Sequence, residues 1–295
     1  MTAGVVKIDD AQYPEALRIL GKDAPKHLYY KGEWPANGKA GIFENCLAVV
    51  GSRRMTSYGR QIAEKLVSQI ASRGITIVSG FMYGIDATSH QAAIEVGGKT
   101  VAVMPCGIDL IHPEYQKELY QEILDNKGLV ISEYEGSFLP TLWTYPRRNR
   151  IVAGLSRAVL VIEAGERSGS LITANFARKF KRKIFAVPGQ IISSVSVGVN
   201  QLIKDGAQIV TSADDILKYF NTLPLPEVVL NPVKHGPNKP NSMEERIIDQ
   251  LQREPMEIDF LARSLSVGSA ELGKTISMME IKGQIKEERG KYYAN

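Results

Sequence analysis

The chain is poor in the residues on which metal, redox and nucleotide-cofactor chemistry depend. Its 295 residues include two cysteines and four histidines. Cys46 and Cys106 lie far outside any metal or redox spacing, and two are too few for a disulfide framework, so both are expected as small buried hydrophobes in or beside strands. Four scattered histidines without a companion ligand cluster give no support to a metal site. The P-loop pattern GxxxxGK[ST] is absent from the main domain, residues 47–222. So is GxGxxG after the first strand of the main domain, and no acidic residue closes the second strand to hold a ribose, so no dinucleotide cofactor is expected. The longest apolar runs are strand-sized, such as AVLVI from Ala158 to Ile162, which leaves no transmembrane helix. The N-terminus lacks a basic segment followed by an apolar one, which argues against secretion. These absences predict a soluble cytoplasmic protein with no membrane partner.

What the sequence does have is positive charge in one place. Between Pro146 and Lys183 stand ten basic side chains and two acids, Glu163 and Glu166, a local balance of +8 in a chain whose total is +4. Charge concentrated this way marks a polyanion-binding surface, although an isolated basic run is also compatible with a solvated helix face. The same segment contains Ser168-Gly169-Ser170, a small-residue turn that opens a helix. That is the geometry in which backbone N–H groups and the helix dipole receive phosphate.

Short β-branched runs alternate with helical periodicity from Leu47 to about Asn221: LAVVGS, ITIVSG, KTVAVMP, LVISEY, RAVLVIEA, KIFAVPG and QIVTS are the predicted strands. The pattern predicts an α/β fold, an extended Rossmann-like, doubly wound, mostly parallel sheet over residues 47–222, with ligands at the carboxyl ends of its strands. Residues 1–46 read as a short N-terminal extension with helical character. Residues 223–241, rich in Pro, Asn and Gly, read as a linker. Residues 242–295 show three helix-period apolar stretches and a terminal hairpin turning at Arg289-Gly290, the pattern of a small winged-helix domain. Its eight basic and ten acidic residues make DNA binding by this module a weaker expectation than protein contact or regulation.

Several residues are candidates for the site. Ser52 and Arg53 close the first predicted strand, where an arginine can fork onto a phosphate or pair with a helix end. Gly80 and Phe81 occupy the turn after the second. Gly84, Asp86 and His90 read as a structural turn, with an Asp–His hydrogen bond as the alternative to a catalytic dyad. Phe138, Trp143 and Tyr145 precede Arg147, Arg148, Asn149 and Arg150, a setting suited to stacking on unpaired bases or to core packing under a loop.

In that order and spacing, GSRRMTSYGR, SGFMYGIDATSH, VAVMPCGIDLIHP, YPRRNRIVAGLS, VIEAGERSGSLITA, FAVPG and GVNQLIKDGA resemble the DNA-processing protein A (Smf) family over about Leu47 to Leu217. The resemblance implies a homodimer that binds single-stranded DNA without hydrolysing nucleotide. It further implies that the protein protects incoming strands in natural transformation and helps load the RecA recombinase. It places DNA contacts on Arg53, on Arg147, Arg148 and Arg150, and on Ser168, Gly169 and Ser170. The sequence departs from the family at Met82, Ser89 and Pro105, and too few residues precede Leu47 for the sterile-alpha-motif domain many members carry.

The resulting expectation is a recombination mediator, not an enzyme. Arg53, Arg147, Arg148 and Arg150 hold phosphates, Ser170 and Thr173 assist at the turn, and Lys179, Lys181, Arg182 and Lys183 extend the groove. Phe81 or the aromatic loop near Trp143 supplies stacking. Leu217, Tyr219 and Phe220 are candidates for a subunit interface or a buried seam. The rival is a nucleotide-sensing regulator or a hydrolase resembling the phosphoribohydrolases that follow a PGGxGTxxE turn. Here ERSGSLITAN places Ala174 and Asn175 where that glutamate is needed for glycosidic cleavage.

Overall fold

The structure is a computed structural model that describes residues 3–35, 41–220, 243–253, 257–265, 267–288 and 291–294. It divides into two units, Met1–Glu227 and Val228–Asn295.

The first unit is built on one sheet. The strands are β1 (Gly4–Lys7), β2 (His27–Gly32), β3 (Cys46–Val50), β4 (Thr76–Ser79), β5 (Thr100–Gly107), β6 (Leu129–Tyr134), β7 (Ala158–Val161), β8 (Lys183–Ala186) and β9 (Gln208–Ile209). Their spatial order is β1-β2-β6-β5-β4-β3-β7-β8-β9. From β6 to β9 all pairs are parallel. Every residue of β3, β4, β5 and β7 is buried, as expected for strands covered on both faces.

Alternate residues of each strand face opposite layers. One layer packs Ala48, Val50, Val101, Val103, Val159 and Val161 against the helices α1 (Glu15–Arg18), α5 (Thr144–Leu155), α6 (Gly169–Lys179) and α7 (Val197–Lys204). The other packs Leu47, Val49, Ile77 and Leu160 against α2 (Ser57–Ala71), α3 (Ile85–Glu95) and α8 (Asp214–Leu217). Beside it Met104 and Val130 meet α4 (Lys117–Asp125). Leu217 and Phe220 are buried in this second layer, so they serve the core of their own chain. Cys46 and Cys106 are free and buried; burial raises their thiols to about 12 and about 11.

The first 46 residues are not a helical extension. β2 pairs antiparallel with β6, and β1 with β2, so both belong to the sheet. Val6, Leu17 and Leu28 are fully buried in its core. Periodicity misses these strands because β1, GVVK, is a four-residue edge strand and β2, HLYYKG, carries a mixed sequence without apolar/polar alternation. The predicted linker at 223–241 lies outside the described residues.

In the second unit α9 (Met243–Arg253), α10 (Ile258–Leu265) and α11 (Ser269–Ile281) precede the antiparallel pair β10 (Ile285–Glu288) and β11 (Lys291–Ala294). Ile247, Leu251, Leu261, Leu265, Leu272, Ile276 and Met279 form its core, at the helical spacing read from the sequence. The predicted turn at Arg289-Gly290 lies outside the described residues.

If β2 is integral to the sheet, Leu28→Ala should lower stability by about 2–5 kcal/mol, read from the denaturant midpoint. A residue in a loosely attached extension would change it by well under 1 kcal/mol.

Candidate nucleic-acid interface

β3 is flanked by β4 on one side and β7 on the other, so the chain leaves its two neighbours in opposite directions. Doubly wound sheets open a crevice at this reversal, beyond the carboxyl ends of the strands. Here the crevice is a cleft of about 590 Å³. Its lining includes Ser52 and Arg53 after β3, Gly80 and Tyr83 after β4, Tyr145, Arg148 and Asn149 on α5, and Arg167 to Ser170 before and within α6.

Arg148 is the frame of this cleft rather than its phosphate grip. It is 3% exposed, and its Nη1 donates to the main-chain oxygens of Gly80 and Val103. Its Nε donates to Asn149 Oδ1 at 3.1 Å, and Asn149 Nδ2 donates to Gly169 O at 3.2 Å. One pair of adjacent residues on α5 thereby ties together β4, β5 and the start of α6. Burial lowers the Arg148 pKa to about 10, opposed by the Asp86 charge. Burial likewise raises Asp86, opposed first by Arg148. Gly80 must be glycine, because a Cβ there would stand 2.6 Å from the guanidinium carbon of Arg148.

Arg53 is an exposed cation of the cleft, as are Arg54 and Arg167. Its guanidinium lies 5.2 Å from the Tyr145 ring centroid and 5.9 Å from that of Tyr83, cation–π distances that restrict its side chain without consuming its N–H donors. Tyr145 is held in turn by a 2.8 Å hydrogen bond between its hydroxyl and His112 Nε2. The Arg53 loop depends on Gly84, whose φ is +83° and whose Cβ would come within 2.4 Å of Ser52 O and 2.7 Å of Arg53 O. Ser52 Oγ accepts from the Arg54 N–H at 3.1 Å, which tightens the same loop.

Across the cleft, Ser168 caps α6. Its side chain accepts from the Ser170 N–H at 3.4 Å, and the two hydroxyls lie 2.8 Å apart. Gly169 leaves the approach open, since a Cβ there would meet nothing within 4 Å. Thr173 is buried one turn on. The first-turn N–H groups of α6 and its dipole thus face the Arg53 side of the cleft, an arrangement suited to phosphate. Glu163, at the end of β7, does not oppose it. The carboxylate is buried and accepts from the Thr56 N–H at 2.9 Å and the Thr56 hydroxyl at 2.5 Å.

Other predicted members fall elsewhere. Phe81 has φ +57° and is fully buried, its ring 6.0 Å from those of His90 and Tyr120, so it has no face to offer a base. Arg147 and Arg150 both bind Glu133, at 3.2 Å and 2.5 Å, and neither lines the cleft. Arg147 also lies over the Trp143 ring. The cations at the end of α6 do not extend the groove. A helix joining parallel strands runs back to their amino ends, and Lys183 sits beside Ala158 at that opposite edge. There Lys179 pairs with Asp23 at 2.7 Å, Lys181 and Lys183 line a separate cleft, and Arg182 donates to Ala16 O and Gly154 O.

Asp86 and His90 are not hydrogen-bonded partners. Asp86 accepts from the Met82 N–H at 3.4 Å. His90 Nδ1 meets Thr100 Oγ1 at 2.6 Å, and that hydroxyl donates to Ile77 O. Nδ1 is therefore the donor, and Nε2, the buried atom left without a partner, is unprotonated. Of the aromatics read from the sequence as stacking candidates, Tyr145 does line the cleft, whereas the sequence does not single out Tyr83 and Arg167, which line it as well.

Two outcomes follow from this geometry. Gly84→Ala should cost about 1–3 kcal/mol and displace Arg53, whereas Gly21→Ala, at φ +60° with no neighbour within 4 Å, should cost about 1 kcal/mol; thermal or denaturant melts compare them. His90 is held neutral down to about pH 3 by burial and by Arg148. The unfolded chain takes up that proton near pH 6.5, so stability should fall as pH drops from about 6.5 toward 3. The fall should shrink in His90→Gln, measured by melts across that range.

A family model described as DNA recombination-mediator protein A matches residues 4–221, and one described as the DprA winged helix domain matches residues 232–291. The chain is 42% identical over 213 residues to the DNA processing protein DprA of Streptococcus pneumoniae, covering 72% of each chain. It is 31% identical over 314 residues to Protein Smf of Synechocystis, covering 97% of this chain and 78% of that protein. The X-ray structure of DNA processing protein A from Streptococcus pneumoniae superposes with a TM-score of 0.67 at 40% identity over 73% of both chains. A structure of DNA processing protein A from Helicobacter pylori, described for its unique single-stranded DNA binding mode, superposes with a TM-score of 0.65 at 31% identity. It covers 74% of this chain and 95% of that one. With its sheet domain and its winged helix each matched, the chain belongs to the DNA recombination-mediator protein A family.

Proposed function

We propose that the protein binds single-stranded DNA in the switch-point cleft and acts there as a recombination mediator rather than an enzyme. The observation that carries this reading is Arg53, presented between two tyrosine rings opposite the serine-capped start of α6. The two walls offer a guanidinium fork and helix N–H groups to successive phosphates, contacts that are indifferent to base sequence. Arg148 adds positive potential from below without touching the ligand. Asp86, the one acid among the described lining residues, is buried. Stacking falls to Tyr83, which is 41% exposed, and to the loop carrying Phe138 and Trp143. Arg167 joins the phosphate contacts, and Ser52, Gly169 and Ser170 shape the approach.

The chemistry of the walls favours binding over cleavage. Glycosidic hydrolysis needs an acid–base group one turn inside the phosphate turn, where Ala174 is buried and Asn175 has no titratable group. The relative from Helicobacter pylori is described as binding single-stranded DNA, which supports the same substrate here. Membership of the family extends the proposal to a homodimer in the cytoplasm that protects incoming single strands in natural transformation and loads RecA onto them.

Titration of labelled poly-dT and a matched duplex at low and moderate salt tests the reading. Tight, salt-dependent binding of the single strand with weaker duplex binding is expected. Arg53→Ala should reduce the slope of log affinity against log salt by about 0.7 per lost phosphate contact. Negligible binding at low salt, or a preference for a mononucleotide over the oligonucleotide, would contradict it.

A further inference from the structure

From Pro188 to Ile203 the sequence contains no charged residue, although 23% of the whole chain is charged. This stretch joins β8 to α7 at the carboxyl edge of the sheet, the edge that carries the cleft. Its base is fixed in place. The Asn200 side chain exchanges hydrogen bonds of 3.2 and 3.0 Å with the main chain of Gly189, and the Tyr58 hydroxyl donates to Pro188 O at 3.0 Å. Two turns, Ser193 N–H to Gln190 O and Ser196 N–H to Ser193 O, shape the tip. At that tip Ile191 and Ile192 are 91% and 89% exposed, while Ser194 and Val195, just beyond Ser193, line the cleft.

Two adjacent isoleucines held in water on an anchored turn forgo the stabilisation that burial of their apolar surface would give. The occupant that covers them has to be small and apolar. A stable protein interface needs about 800 Å² from each partner, far more than two side chains on one turn supply. Unstacked nucleobases fit better: they present apolar faces beside a charged backbone. A neutral lip suits the base side of a strand whose phosphates lie against the cationic wall, since it neither competes for those phosphates nor repels them.

We infer that Ile191 and Ile192 form an apolar lip that packs against unstacked bases of the strand held in the cleft, and so favours single strands over duplex. This rests on the single-strand reading of the cleft. A duplex keeps its base faces stacked and cannot cover the lip.

The test compares the full-length parent with Ile191→Ser/Ile192→Ser, Arg53→Ala and Ile192→Trp, using dT oligonucleotides and a matched duplex. The double serine variant should melt as the parent does, because both side chains are already exposed. Its Kd for dT should rise by about tenfold, with the salt slope and duplex affinity unchanged, so the preference for single strands narrows. In Ile192→Trp, emission measured against the parent should change when dT binds. Unchanged dT affinity in the serine variant with no tryptophan response overturns the inference alone, provided Arg53→Ala still weakens binding. Loss of self-association with unaltered DNA binding likewise overturns it, and assigns the tip to a second copy of the chain. A parent that binds no dT overturns the underlying reading as well.

Discussion

The cleft depends on a buried arginine. Arg148 has almost no solvent and compensates by donating to the main chain of Gly80, at the end of β4, and of Val103, within the neighbouring β5. A charge in that position is costly unless its donors are satisfied and a counter-charge is near. Asp86, Gly80 and Asn149 are each explained by that need: a nearby carboxylate, a residue without Cβ where the guanidinium lies, and an amide that relays the contact to α6. Removing the arginine would uncouple α5 from β4 and β5 and leave Asp86 without its principal opposing charge.

The constraint also separates the roles of residues that look alike in sequence. Arg53 and Arg148 both belong to double-arginine steps, Arg53-Arg54 and Arg147-Arg148, yet one is exposed between tyrosine rings and the other is enclosed. Arg147 and Arg150 neighbour Arg148 on α5 but answer to Glu133 on β6. The acids among these arginines set how much positive potential remains at the surface. Glu133 neutralises part of α5, and Glu163, despite its place in the basic segment, is committed to capping α2 through Thr56.

The parallel core was legible because buried β-branched strands separated by amphipathic helices admit few other folds, and the small-residue turns marked the right edge of the sheet. β1 and β2 were not legible, since GVVK is only four residues at the sheet's edge and HLYYKG lacks the alternation that signals a strand. The basic segment misled for a geometric reason. One helix carries its two ends to opposite edges of the sheet, so Ser168 and Lys183 diverge though they are close in sequence. Phe81 was misread because a left-handed backbone, which turns the ring inward, is unusual for a phenylalanine and leaves no trace in composition.

The most direct test of this account is Arg148→Met, scored for stability and for the salt dependence of dT binding in the same preparation. A framing role predicts a loss of about 3 kcal/mol or more in stability, with a salt slope close to the parent's for the fraction that remains folded. A slope reduced as far as Arg53→Ala reduces it, at unchanged stability, would show that Arg148 grips phosphate and would contradict the account.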